Sequence, residues 1–195
     1  MKHLFSKAAI VMSLACTASF LHAQTPSIVY GRTTIQLNAA FASSFQGAVI
    51  TDLNANPLIN NMFTVEATGG ALDLQTGAGE VEHKGGLLVN AGDGVVIRIQ
   101  NFILDSTSPA APVVTALFIL NDHFGVRLPL FTLQGAPGTT LPLKTQSGVL
   151  QENNSTLYLA PATASALNAY FKDQVAQPGV LVGTANLYAV LSPVN

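Results

Sequence analysis

The residues that could do chemistry are few: 4 histidines, 1 cysteine, 10 acidic and 8 basic residues among 195. His83 lies in Glu80-Val81-Glu82-His83-Lys84. Side chains alternate along a strand, so Glu80, Glu82 and Lys84 share one face. Val81 and His83 share the other, followed by Gly85, Leu87 and Val89. A histidine on an apolar face is a haem or metal ligand, or, more commonly, a core residue satisfied by a backbone carbonyl. Gly85-Gly86 beside it leaves room for a flat ligand or permits a bulge. The charged neighbours read as a solvated face, because an acid–base pair needs two environments that push the pKa values apart. His123, in Asn121-Asp122-His123-Phe124-Gly125, reads as an exposed turn residue at a hairpin tip. Tyr170 on a predicted helix can place its hydroxyl at a pocket rim, although a buried tyrosine with one hydrogen bond is the ordinary case.

The other signatures of catalysis are missing from the sequence. There is no G-x-S-x-G elbow, no H-E-x-x-H and no phosphate loop. One cysteine excludes a disulfide framework and a four-cysteine zinc site. Asp93 in Asn90-Ala91-Gly92-Asp93-Gly94 lacks the spaced carboxylates of a calcium loop and reads as a plain turn. Asn153-Asn154-Ser155-Thr156 carries glycosylation sequons, but with a bacterial-looking leader it reads as turn chemistry. A net charge of −2 with no basic cluster gives nucleic-acid binding no electrostatic support. With 49% hydrophobic and 9% charged residues the chain is not a disordered tail.

Short apolar segments rich in Val, Ile, Leu, Thr and Phe are punctuated by turn signals, the pattern of many antiparallel strands. Predicted strands are Thr33–Leu37, Phe63–Glu66, a hairpin of Glu80–Asn90 with Val95–Asp105, and a hairpin of Val113–Leu120 with Val126–Leu133. A third hairpin of Gly148–Gln151 with Thr156–Leu159 turns at Asn153-Asn154, and Gly179–Leu191 closes the sheet with a bend at Gly183. Two helices are predicted, Ala39–Gln46 capped by Asn38 and Ala162–Lys172 opened by Pro161. Thr34, Leu37, Ala40, Ala42 and Ser43 recur as Thr156, Leu159, Ala162, Ala164 and Ser165. The repeat reads as shared strand-to-helix chemistry, with a pseudo-symmetric sandwich bearing one helix at each end as the alternative. The expected fold is all-β: an antiparallel β-sandwich of roughly nine to eleven strands with two short helices.

The central stretch resembles the HtaA-type domain of bacterial haem-uptake proteins. The resemblance is carried by Phe63-Thr64-Val65, Gly70-Ala71-Leu72-Asp73 with Thr76-Gly77-Ala78-Gly79, Val81, Gly85-Gly86-Leu87 and Ile97-Arg98-Ile99-Gln100-Asn101. It implies a β-sandwich with two short helices, and haem held by a tyrosine on the first helix supported by a histidine. Here that helix carries Phe41, Ser43, Ser44 and Phe45 and no tyrosine, so the axial ligand does not carry over. The cofactor is therefore left unknown, with haem open. His83 and Tyr170 are the candidate cofactor-binding residues, and no catalytic or metal-ligating residue is assigned.

The preferred function is an exported, non-catalytic binding or structural module of the bacterial envelope or exterior. Its partner would be a small apolar ligand or an envelope protein. Haem or another flat apolar ligand is the alternative, and a hydrolase with an unrecognised site the third. Residues 1–23 read as a secretory signal peptide: Lys2 and Lys7, an apolar run from Ala8 to Leu21, then Leu21-His22-Ala23 before Gln24. Residues 24–195 form one domain, with no transmembrane helix. Lipid anchoring through Cys16 is less expected, because in Ser13-Leu14-Ala15-Cys16 the leucine sits one place too late. Cleavage removes Lys2 and Lys7, leaving 6 basic residues against 10 acidic ones and a formal charge of −4. Intact-mass analysis of exported protein is expected to give a chain starting at Gln24; a chain starting at Met1, or a lipid on Cys16, would contradict this reading.

Overall fold

Alternation decides which way each strand faces. In Met62–Leu72, Phe63, Val65 and Ala67 are buried while Met62, Thr64 and Glu66 are exposed. The computed structural model describes residues 25–193 except 46, 93, 124, 136, 137 and 172–175. The expected leader, Cys16 and the Asp93 turn position lie outside the described residues. In chain order the elements are β1 (Ile28–Leu37), α1 (Ala39–Ser44), β2 (Val49–Asp52), β3 (Met62–Leu72), β4 (Gly79–Lys84), β5 (Gly86–Gly92) and β6 (Val95–Asp105). There follow β7 (Val113–Leu120), β8 (Val126–Gln134), β9 (Thr145–Gln146), β10 (Val149–Leu159), α2 (Pro161–Tyr170) and β11 (Leu181–Leu191).

The strands close on themselves. Around the ring run β1, β3, β4, β6, β7, β8, β10 and β11, with β11 paired to β1 and every pairing antiparallel. The result is an eight-stranded barrel, not the expected plain sandwich, although the all-β class and the two short helices are as predicted. Strand alternation and turn spacing are the same in both architectures; what separates them is that the first strand pairs with the last. Their register runs from Ile28 opposite Leu191 to Leu37 opposite Gly183. Outside the ring, β5 and β2 form a ribbon on β6, and β9 pairs with β10.

Two predicted elements take another form. The expected strand Glu80–Asn90 breaks at Gly85, whose φ of +110 suits glycine. Beyond it the chain leaves β3 and pairs as β5 with the first half of β6, while β4 pairs with the second half. The expected hairpin at Asn153-Asn154 is one continuous strand, β10, with a bulge. Asn154 has φ +61, and its N–H donates to Asn186 Oδ1 at 2.7 Å. The neighbouring strand satisfies the irregular backbone, so the chain kinks without reversing.

Both helices follow expectation locally. Asn38 Oδ1 accepts from the N–H groups of Ala40 (2.9 Å) and Phe41 (3.3 Å), and Pro161 opens α2. Thr163, fully buried, donates its hydroxyl to the Pro129 carbonyl at 2.7 Å and ties α2 to β8. Because β1 and β10 both run antiparallel to β11, and Leu37 and Leu157 both face Gly183, the two helices leave the same end of the barrel. Phe45 and Phe171 meet edge-to-face there with centroids 5.1 Å apart. The repeat is thus a pair of neighbouring strand-to-helix units, not a helix at each end.

Gly183 sits between these two strands, and a Cβ built on it would collide with the carbonyl oxygen of Gln36. Gly183→Ala is expected to force β1 away from β11 and to destabilise the fold by about 3 kcal/mol. Denaturant unfolding checks this; a loss under about 0.5 kcal/mol, the range of neutral surface changes, would show that the barrel seam yields freely.

Candidate binding site inside the barrel

An eight-stranded ring leaves an interior that side chains can just fill, or that can hold one small ligand. Here several inward positions carry small residues, among them Thr33 on β1, Ser155 on β10 and Ala185 on β11. The lumen stays partly empty, with a cavity of about 250 Å³. Its walls are mostly apolar, with Val65, Phe102, Phe131 and Leu157 among them. One core cluster fills the helix end, with Phe45, Leu167 and Phe171, and another, with Ile28, Val81, Leu150 and Leu191, lies toward the opposite end.

His83 reaches this space by alternation on β4. Val81 and His83 are buried while Glu80, Glu82 and Lys84 face outward, as the spacing predicts. Across β3, the Thr33 hydroxyl is 2.7 Å from His83 Nε2. Nδ1 is buried without a hydrogen-bond partner. Burial pushes the imidazole pKa down to about 4, offset in part by the nearby backbone of Phe102 and Val81. His83 is therefore neutral at pH 7 and a weak base.

The mouth lies at the end away from the helices, where the β3–β4, β6–β7 and β8–β9 connections meet. The glycine-rich motif of the sequence builds the first. Asp73 Oδ1 accepts from the N–H groups of Gln75 (2.7 Å) and Thr76 (3.2 Å), and these donors hold its carboxyl below the usual carboxylate range. Ser106 donates its hydroxyl to the Gly77 carbonyl at 2.8 Å. The Leu143 N–H donates to the Leu74 carbonyl at 2.6 Å, bringing the β8–β9 connection across. Thr139 donates to Glu152 Oε2 at 2.7 Å. Glu152 is the one charged side chain among the described residues that line the cavity. Sequence reasoning placed it in a turn; only the continuous β10 turns it toward the lumen.

His83, Ser155 and Glu152 line one cavity, yet they do not assemble a nucleophilic triad. The hydrogen bond of His83 goes to Thr33 and that of Glu152 to Thr139. His123 is exposed at its hairpin tip, with Nδ1 2.7 Å from the Asn121 carbonyl oxygen. Among the described residues no three His, Cys, Asp or Glu side chains group as metal ligands. Tyr170 ends α2, and its side chain lies outside the described residues.

The residues in place do not fit haem. Helix α1 presents no tyrosine, Nε2 of His83 is engaged by Thr33, and Nδ1 is sealed in the wall. A cavity of about 150 Å³ holds benzene. The lumen here, at about 250 Å³, takes little more than one ring with a short substituent, far less than a tetrapyrrole.

A buried neutral histidine makes stability depend on pH. Its ordinary value is 6.5 and its folded value about 4, so the unfolded chain takes up the proton first as pH falls. The associated stability is complete above about pH 6.5 and declines by about 3 kcal/mol on the way to pH 4. His83→Phe is expected to flatten that decline relative to the parent in unfolding curves across this range. The carboxylates of Asp52, Asp73 and Asp105, all held low by hydrogen bonds, titrate in both proteins and cancel in the comparison. Parallel curves for the two proteins would contradict the burial of a neutral imidazole.

No family model matches the chain, and no curated protein matches it either. Solved structures do. The C-terminal domain of HtaA from Corynebacterium glutamicum superposes with a TM-score of 0.65 at 15% identity, over 86% of this chain and 100% of that domain. The N-terminal domain of the same protein gives 0.56 at 12% identity, over 85% and 99%. A domain-swapped dimer of a histidine-to-alanine variant of the C-terminal domain gives 0.54 at 15%, over 77% and 87%. At these identities the likeness is one of backbone architecture, and the chain has an HtaA-like fold.

Proposed function

We propose that the protein is an exported, non-catalytic binding module of the bacterial envelope or exterior that holds a small apolar ligand in the lumen of its barrel. The observation that carries this reading is the apolar cavity of about 250 Å³ surrounding one buried, neutral histidine. Concave, mostly apolar space with a few convergent polar groups is the usual form of a small-ligand site. The HtaA-like fold supports a binding role. A weakly basic His83 with no carboxylate partner speaks against general base catalysis. The haem reading implied by the sequence resemblance draws support from fold alone, since neither α1 nor the lumen offers what haem needs.

Toluene titrated into the mature protein and followed by NMR is expected to shift lumen methyl signals such as those of Val65 and Leu157, with a Kd of about 1 mM or tighter for so few atoms. Ala185→Leu fills the lumen and is expected to abolish the shifts while keeping the fold. Haemin at stoichiometric ratio is expected to give no Soret change. Toluene shifts confined to the outer surface, or unaltered by Ala185→Leu, would remove the proposal.

A further inference from the structure

We infer that the ligand carries a cationic head, of the class of a small hydrophobic primary amine, with its apolar body in the lumen and its ammonium at Glu152. This rests on the lumen being the binding site. The walls are apolar and the one charged side chain lining them, among the described residues, is Glu152. It is half-buried on β10 opposite Leu187. A carboxylate offers about four acceptor positions, and the Thr139 hydroxyl occupies one of them, at 2.7 Å. The ion pair formed among the described residues is Arg98 with Asp122, and none of those residues places a cation on Glu152. A carboxylate at the edge of an apolar cavity repels a second anion and attracts an ammonium by a charge-assisted hydrogen bond. Fatty acids and other carboxylates are therefore the wrong class, because among the described residues no Lys or Arg lines the cavity to receive them.

A merely structural role for Glu152 is the competing account, since its bond to Thr139 anchors the loop over the mouth. Glu152→Gln separates the two, because the amide oxygen still accepts from Thr139 while the charge is gone. The experiment is calorimetric titration of benzylamine, benzyl alcohol and benzoate into the mature protein at pH 7 and low salt, with thermal unfolding to confirm that the variant is folded. Benzylamine is expected to bind at least about tenfold more tightly than benzyl alcohol, and benzoate more weakly than either. Glu152→Gln is expected to erase the preference for the amine over the alcohol, while both still bind the lumen. Equal binding of amine and alcohol, or a preference that survives Glu152→Gln, overturns the inference and leaves the lumen reading standing. Failure of the neutral alcohol to bind overturns both.

Discussion

Pairing of the first strand with the last is the constraint on which the rest hangs. With β1 hydrogen-bonded to β11, the ring of eight strands has no free edge, and inward residues face one another across a common interior. The same seam sets α1 beside α2 at one end, while on its other side β1 pairs with β3 and so brings Thr33 within reach of His83 on β4. Gly183 permits the close approach. In an open sandwich these inward residues would interdigitate between two sheets and leave no central space.

The interior that results is expensive in stability. Space left unfilled between apolar walls forgoes the packing contacts that larger inward side chains would make. The desolvated imidazole of His83 adds to that, offset only in part by the nearby backbone of Phe102 and Val81. Unfilled space and a desolvated polar group in one place are features that packing alone would select against. Their coincidence is what the proposed binding role accounts for. An apolar ligand would recover part of the loss by supplying contacts that the walls lack.

Much of the fold was legible in the residues. Alternation placed Val81, His83, Leu87 and Val89 inward and Glu82 and Lys84 outward, and turn chemistry placed the β7–β8 hairpin. Asn38 and Pro161 marked both helix starts. Closure was not legible, because alternation records which face is buried and not which distant strand supplies the hydrogen bonds. Asn153-Asn154 looks like a turn, and only its neighbour Asn186 explains why the strand continues through it. That misreading hid Glu152, whose direction follows from the continuity of β10. The short strands β2 and β9 lacked the length to show a period. His83 stood out as a histidine on an apolar face, but its partner Thr33 lies 50 residues away and no local pattern announces it.

The central claim is an apolar lumen, entered by a mouth at one end, inside a closed barrel. Xenon-pressurised crystals of the mature protein test it most directly, because the gas enters dry apolar cavities and scatters strongly. The expected result is a xenon peak in the lumen, walled by Val65, Phe102 and Leu157, with β1 and β11 hydrogen-bonded along the seam. Two separated sheets with no gas between them, or side chains filling the space, would contradict the account.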